Sequence, residues 1–450
     1  MVRIETMADR ILRLDRRRLL AGLGAAAFGP ALEPVLFPAV RAQAQLGLAL
    51  HAKSDVSASR LGKPDALSWA LNGSGRDDAG KLRRGENLEF VFWNDLPMPA
   101  ALNWRGLDGV QATEPLTART PLAAGARENL QIPLRQAGTF LCDLRLLGDG
   151  QARPSRALAM VVGESEAVSV DRDEVCLLED WRLGPDGTAI APGTDPKGAT
   201  PFYTINGQAS LDISARTNER LRIRFINGCQ RTVVAVKIDN IDVRVMALDS
   251  QPAEPFLARN GALVLAPGAR ADVFIDATAP PGLVSPILLH DGKEARPIGR
   301  LVISDQPPIR AARLPPAPPL PATGLPAQPD LKNALRFDVP LGGPQAGWVT
   351  PASFAPSSTP AFHAKAGRTV VLALTNRTDI ATVFHLHGHH FRLLDRLDDG
   401  WKPFWLDTLA IEPGATQRVA FAAEHSGHWL IEAVATDWTA PRFVRWYSVE

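Results

Sequence analysis

Histidines close to the C-terminus are the residues best suited to chemistry in this 450-residue chain. Six of its nine histidines lie between His385 and His428. His385 and His387 are two positions apart, and in a β-strand this spacing places both side chains on the same face. Imidazole nitrogens are suitable ligands for transition metals. The chemistry that this group of histidines could support is therefore metal binding.

The composition excludes several other classes of protein. Three cysteines are too few for a disulfide-rich scaffold or a four-thiolate zinc site. A formal net charge of +1 gives no electrostatic basis for nucleic-acid binding. The sequence contains no Ser/His/Asp arrangement in a supporting context and no phosphate-binding glycine loop. No residue is therefore assigned to catalysis or to binding an organic cofactor.

Short β-branched and aromatic runs, separated by Gly, Pro and Asn, predict an all-β fold built from β-sandwiches. Three blocks of the chain resemble one another, because in each a charged turn leads into a strand that ends at Asn94, Asn227 or Asn376. Residues 306–330 contain nine prolines, which predicts a stiff, extended linker. The predicted domains are residues 44–163, 164–305 and 331–450.

The N-terminus is predicted to be an export signal. Arg16, Arg17 and Arg18 stand directly before a short apolar run, and small residues that suit cleavage follow it. Residues 1–43 are therefore interpreted as a twin-arginine signal peptide, which places the mature chain in a bacterial periplasm. An ordinary signal peptide with incidental arginines is the alternative. No other run is long and apolar enough for a transmembrane segment.

Several motifs together resemble the multicopper oxidases over essentially the whole mature chain. They are Tyr203–Gly207, Leu265–Asp272, Phe384–Phe391, Trp405–Thr408 and Ser426–Trp429. The resemblance implies three cupredoxin-like, Greek-key β-sandwich domains. It also implies a mononuclear copper in the third domain and a trinuclear, oxygen-reducing copper cluster between the first and third domains.

Most ligand positions that the resemblance implies carry other residues. The family's His-Trp-His-Gly-Leu matches Asn103-Trp104-Arg105-Gly106-Leu107, and its Tyr-His-Ser-His matches Cys142-Asp143-Leu144-Arg145. Its His-Cys-His matches Glu432-Ala433-Val434, and its remaining mononuclear-site ligands match Thr382, Trp438 and Phe443. Only His385 and His387 keep their places, and the thiolate is lost. Oxidase chemistry of the family type is therefore not expected.

The replacements predict a salt-bridge network where the cluster would lie. Because residues two apart on a strand share a face, the replaced positions should converge on one space. The hypothesis is a buried network of Arg105, Arg145, Asp143 and Glu432, with His385 or His387 hydrogen-bonded beside it. The alternative is that His385 and His387 bind one metal ion with help from Asp143 or Glu432, although the arginines oppose a cation.

Other notable residues have structural interpretations. His389 and His390 are expected to be packing or surface residues, and His425 and His428 to be solvated in a turn. Asp407 is expected to hydrogen-bond locally. The side chains of Trp401, Trp405 and Trp429 are expected to pack inside the third β-sandwich. The three cysteines, Cys142, Cys176 and Cys229, are either free and buried or include one disulfide.

The closest functional analogy is a copper-free, twin-arginine-exported branch of the family whose known member is a cell-division protein. By that analogy the chain is a periplasmic structural or interaction protein with no cofactor and an unidentified protein partner. A second interpretation is a copper-binding protein or weak oxidoreductase that uses His385 and His387. A third is a protein that binds a small ligand in the vacated space between domains.

Overall fold

β-strands form nearly all the regular structure of the chain, which confirms the all-β prediction. The computed structural model describes residues 46–58, 66–74, 82–326, 328–342, 347–395 and 400–450. The predicted signal peptide, residues 1–43, lies outside the described residues. Among the described residues, helical structure is limited to 3-10 turns at Gln111–Thr113, Arg145–Leu147, Arg259–Gly261 and Pro351–Ser353. None of the helices described is long and apolar enough to cross a membrane.

The first seven strands form two sheets, in the orders β2-β1-β3-β5 and β4-β6-β7. Their bounds are β1 Leu46–Ala58, β2 Ala66–Ser74, β3 Asn87–Asn94, β4 Asn103–Arg105, β5 Arg127–Pro133, β6 Gly138–Asp143 and β7 Ala157–Val162. Strand β3 alternates between buried and partly exposed residues, and its inward-facing Leu88, Phe90 and Phe92 join the core between these sheets. This is the period-two pattern of a sandwich strand.

The next eleven strands form two further sheets, in the orders β10-β18-β17-β12-β15 and β14-β13-β16-β11-β8-β9. Their bounds are β8 Arg172–Leu183, β9 Thr200–Ile205, β10 Leu211–Ala215, β11 Arg220–Asn227, β12 Val234–Ile238, β13 Arg244–Leu248, β14 Gln251–Leu257, β15 Ala262–Leu265, β16 Arg270–Asp276, β17 Val284–His290 and β18 Ala295–Ile303. Apolar side chains of both sheets meet in one core.

The last nine strands form the sheets β19-β21-β25-β23 and β20-β27-β26-β22-β24. Their bounds are β19 Leu335–Leu341, β20 His363–Ala364, β21 Thr369–Asn376, β22 Thr382–Leu386, β23 Arg392–Leu393, β24 Thr408–Ile411, β25 Thr416–Ala422, β26 Gly427–Ala435 and β27 Arg442–Val449. Trp429 belongs to the core of this sandwich, and Trp401 packs against a smaller cluster beside it. Each sheet thus draws its strands from one of three consecutive stretches of chain.

A repeated asparagine contact ends one strand in each stretch. Asn94, Asn227 and Asn376 are the last residues of β3, β11 and β21, and all three are fully buried. Each side-chain amide donates to two backbone carbonyls at 2.7–3.0 Å. Each side-chain oxygen also accepts a hydrogen bond from the backbone N–H two residues later. One asparagine therefore satisfies three backbone groups where the chain leaves the sheet.

The proline-rich segment contains no strand within its described residues, 306–326 and 328–330. It lies against the second sandwich, where Ala317 and Leu320 pack on Met246 and Phe274. All three cysteines of the chain are free and buried, so the disulfide alternative is not realised. Burial raises the pKa of Cys142 and Cys229 well above the ordinary thiol value, and that of Cys176 to about 12.

Candidate functional site

Strands β4, β22 and β26 bring the candidate residues together. Strands β22 and β26 pair so that His385 lies opposite Glu432. Beyond β4, Asp108 forms a bridge with Gly388 just after β22, and the backbone N–H of Gly109 donates to Gly388 at 3.1 Å. This link holds the end of the first sandwich against the end of the third.

Glu432 is the centre of a buried polar cluster. Its Oε1 accepts hydrogen bonds from Asn103 Nδ2 at 2.9 Å and from Arg105 Nη2 at 3.2 Å, while Arg442 Nη1 contacts Oε2. His387 Nε2 lies 3.0 Å from Oε1. Burial alone would raise the pKa of Glu432, but Arg105 and Arg442 hold it well below its ordinary value. We call these five residues the Glu432 cluster.

His387 lies between two carboxylates. Its Nδ1 is 3.0 Å from Glu114 Oε1, and its Nε2 is 3.0 Å from Glu432 Oε1. Because an ionised carboxylate only accepts hydrogen bonds, both ring nitrogens must carry protons. Burial would lower the pKa of His387, but Glu114 and Glu432 raise it to about 9. The imidazolium has no free lone pair for a metal ion.

His385 has the opposite protonation. Its Nδ1 donates to the Asp407 carbonyl at 2.9 Å and lies 3.1 Å from Thr408 Oγ1. Burial and the neighbouring Arg105 lower the pKa of His385 well below its ordinary value, so the ring is neutral. Within the described part of the chain, its buried Nε2 has no hydrogen-bond partner. Of His385 and His387, His385 is thus the one whose ring has a free lone pair, and that lone pair is on Nε2.

Little space remains around these side chains. Two small cavities, each of about 10 Å³, adjoin His385, one lined also by Glu114 and His387 and the other by Arg105 and Arg442. Each volume holds about one water molecule. A small organic ligand has no room in them, which argues against the third interpretation of the sequence.

Arg270 forms a second buried centre that joins all three stretches of chain. Its guanidinium contacts both carboxylate oxygens of Asp407, at 2.9 and 2.7 Å. It also donates to the Thr139 carbonyl at 3.1 Å and to Ser250 Oγ at 3.1 Å.

Gly138 has φ of +144°, and a Cβ there would lie 2.6 Å from the Ser250 carbonyl oxygen. Glycine is therefore required for this close approach.

His390 is fully buried, and its side chain is an ion-pair partner. Its Nδ1 is 2.6 Å from Asp108 Oδ2, and its Nε2 donates to the Asp249 carbonyl at 2.6 Å. Although burial lowers the pKa of His390, Asp108 raises it to about 9. The neighbouring His389 packs against the rings of Trp429 and Tyr447. The surface alternative for both residues is wrong.

The His390–Asp108 pair should make stability fall at alkaline pH. A histidine whose folded pKa exceeds the unfolded value near 6.5 stabilises fully below about pH 6.5 and loses this contribution as pH rises to about 9. Asp108→Asn should therefore lower the free energy of unfolding more at pH 6 than at pH 9.5. Urea unfolding at both values tests this, with exposed Asp379→Asn as the control. An equal effect at both values would contradict the assignment.

Two sequence models described as multicopper oxidase match residues 172–283 and 326–449, which together are more than half of the chain. The chain belongs to the multicopper oxidase family. The curated multicopper oxidase MmcO of Mycobacterium tuberculosis is 24% identical over 402 residues, covering 77% of this chain and 76% of that protein.

Solved structures show the same fold. A multicopper oxidase from Pseudomonas thermotolerans superposes with a TM-score of 0.75 at 20% identity, covering 90% of this chain and 99% of that one. Lac15 from a marine microbial metagenome gives 0.73 at 22% identity, covering 90% and 100%. The cupredoxin-like architecture predicted for this multicopper oxidase homologue is thereby confirmed.

The residues at the positions that the sequence resemblance assigns to the trinuclear cluster do not provide its ligand set. Arg105 and Glu432 bind each other there, and His387 carries protons on both nitrogens. A cluster needs several neutral imidazoles around one space, and of the two histidines retained there, His385 and His387, only His385 is neutral. At the mononuclear position, Ala433 provides no thiolate and the Trp438 indole donates to the Ala191 carbonyl. Neither arrangement provides the ligands that the resemblance implies for a multicopper oxidase.

Part of the predicted salt-bridge network is present in the structure. Arg105 and Glu432 form the expected ion pair with His387 beside them. Asp143 and Arg145 line the same small cavity as Arg105, but among the described residues the Arg145 side chain forms no ion pair with Asp143 or Glu432. Strand β6 ends at Asp143 and Arg145 begins a 3-10 turn, so the two side chains do not share a strand face. Arg145 instead donates to backbone carbonyls of Gly228 and Cys229, and only its backbone N–H reaches Asp143 Oδ1.

Sequence reasoning missed Glu114 and Arg442, both of which contact the cluster. Arg442 is the first residue of β27, a mostly apolar strand whose other cation is Arg445, and its place at the strand start is the signal that the sequence offers. Asp407 hydrogen-bonds locally, as expected, because Thr408 Oγ1 donates to its Oδ1 at 2.7 Å. It also accepts hydrogen bonds from Arg270 of another sandwich. His428 is exposed, as expected, but lies in β26.

Proposed function

We propose that this chain is an exported, periplasmic protein of the multicopper oxidase family that lacks copper oxidase activity and acts as a structural or interaction protein. It holds no resident cofactor, and its partner is another periplasmic protein. The observation that carries the proposal is the Glu432 cluster, which places two guanidinium groups and an imidazolium around one carboxylate. These cations oppose the binding of Cu²⁺ in the same space.

The missing mononuclear site supports the same proposal. Electrons enter such enzymes through a copper–thiolate centre, and Ala433 replaces its cysteine. Without an entry centre, a substrate could not deliver electrons toward oxygen. The arginines before the N-terminal apolar run support export, as the sequence indicated.

A residual copper site is the second candidate, and one observation favours it. Ligand atoms of His385, His387 and Glu432 lie within 4.8 Å of one another. The free Nε2 of His385 would be the first ligand. Binding at His387 would need that imidazolium to lose a proton and one of its carboxylate contacts. Such a site would make the protein a copper carrier or a weak oxidoreductase.

Copper analysis of the purified mature protein separates the two candidates. After incubation with Cu(II) and dialysis, we expect far less than one copper per chain and no oxidation of a phenolic substrate. The His385→Ala/His387→Ala variant is the matched control, and its copper content should equal that of the wild type. Near-stoichiometric copper that disappears in the double variant would overturn the proposal in favour of the residual site.

A further inference from the structure

An open cleft on the second sandwich shares no residue with the two cavities beside His385. Its volume is about 910 Å³, within the range of ligand-binding clefts. The outer face of the sheet that contains β13 and β16 forms its floor, and linker residues 313–317 form one wall. The cleft is therefore built by the sheet and the linker together.

Strand register defines the floor. Arg244 of β13 lies opposite Leu257 of β14 and Phe274 of β16, so these three side chains share one face of the sheet. Phe274 is buried, whereas Leu257 is 51% exposed at the rim. The apolar side chain that the floor exposes to solvent is therefore Leu257 at the rim.

Arg220 fixes the linker wall to this floor. It is 2% exposed, pairs with Asp276 through Nε and Nη2 at 2.6 and 3.0 Å, and donates to the Pro315 carbonyl at 2.8 Å. The wall also contains Pro316, and prolines have no N–H to donate. The carbonyls of Leu314 and Pro315 both accept from Arg220, so the linker wall is held against the floor by this one side chain.

The charges of the cleft are unbalanced. Four cationic and two anionic side chains line the cleft, which gives it an excess of two positive charges. The cations are Arg220, Lys237, Arg244 and Arg313, and the anions are Asp242 and Asp276. Arg220 and Lys237 have carboxylate partners. Within the described residues, the structure shows no hydrogen bond or ion pair for Arg244 or Arg313. Two guanidinium forks next to an apolar floor suit carboxylates carried by a partly apolar chain.

We propose that this cleft binds an extended, acidic peptide segment of a partner protein. Its carboxylates pair with Arg244 and Arg313, and an apolar side chain packs on Leu257 at the rim. A peptide can carry two carboxylates with an apolar side chain between them, whereas a fatty acid carries one carboxylate. The assignment to a partner protein rests on the proposed function, whereas the recognition chemistry follows from the cleft.

Fluorescence anisotropy tests the proposal with a labelled hexapeptide of alternating leucine and glutamate. The same peptide with glutamine in place of glutamate should bind at least ten-fold more weakly. Arg244→Gln should weaken binding of the acidic peptide about ten-fold and exposed Arg313→Gln about three-fold. Exposed Arg377→Gln on the third sandwich is the matched control and should bind as the wild type does. Circular dichroism checks that each variant is folded.

Equal affinity for the two peptides, or unchanged affinity in the Arg244→Gln/Arg313→Gln variant, would overturn the proposal. Binding of phosphatidylglycerol vesicles that this variant loses, without peptide binding, would assign the cleft to a lipid surface and also overturn it. Copper is measured on the same preparations. If the protein contains copper and still binds the acidic peptide, only the proposed function is contradicted. If the protein is free of copper and does not bind the peptide, only the assignment of the cleft is contradicted.

Discussion

Glu432→Gln is expected to lower the free energy of unfolding by about 3–5 kcal/mol, because it removes the one carboxylate that Arg105 and Arg442 share. Both guanidinium groups are nearly inaccessible to bulk water, and the cavity beside them has room for about one water molecule, so solvation cannot replace the lost carboxylate. Glutamine keeps the size and one acceptor oxygen. The loss therefore reports mainly the missing charge.

Urea unfolding at pH 7 measures this effect, with Glu412→Gln as the control. Glu412 is exposed, and its substitution should change the unfolding free energy by less than about 0.5 kcal/mol. A loss below about 1 kcal/mol for Glu432→Gln would show that the cluster does not depend on its carboxylate. A second variant, Arg442→Met, should also destabilise the protein, since it removes the other side of the same contact.

Arg270→Met should be similarly costly, with a loss of about 3–5 kcal/mol that grows with pH. The change removes the guanidinium between Asp249 and Asp407 and leaves the His390 imidazolium, 3.7 Å from Asp407 Oδ2, as the neighbouring cation. Even beside Arg270, burial and Asp407 raise the pKa of Asp249 to about 6. Without Arg270, the pKa of Asp249 should rise further above its unfolded value, so this carboxyl group binds its proton more tightly when folded than when unfolded. The stability of the variant should then fall as pH rises through the folded pKa of Asp249.

Unfolding of Arg270→Met and wild type at pH 5 and pH 7.5 tests this dependence. The difference between them should be larger at pH 7.5. Arg300→Met is the matched control, because Arg300 pairs with Asp212 on the surface and such pairs contribute about 0–1 kcal/mol. A difference that is independent of pH would show that the two carboxylates are not coupled through Arg270.

The sequence predicts the all-β fold well because its signals are local. Alternation in β3 and the strand-ending asparagines Asn94, Asn227 and Asn376 are visible without any tertiary contact. Each asparagine satisfies backbone groups close to its own strand end, so the same residue serves in each stretch. The position of the site also follows from the sequence, since two of its strands carry the family's motifs.

Partners in the site are harder to predict, because they depend on where strands end and how sandwiches meet. The side-chain rule that joins Asn103 to Arg105 fails at Arg145, where a 3-10 turn replaces the strand. Arg442 reaches Glu432 from the adjacent strand, and Glu114 reaches His387 from a different sandwich. Such contacts require strand register and domain packing, which residue spacing alone does not specify.

The three buried thiols can report local unfolding of the sandwiches that contain them. With raised pKa values, Cys142, Cys176 and Cys229 react with a thiol reagent only after the strands around them separate. Cys142 is in the core of the first sandwich and the other two are in the core of the second. The order in which they become labelled would reveal which sandwich opens first, without any engineered probe.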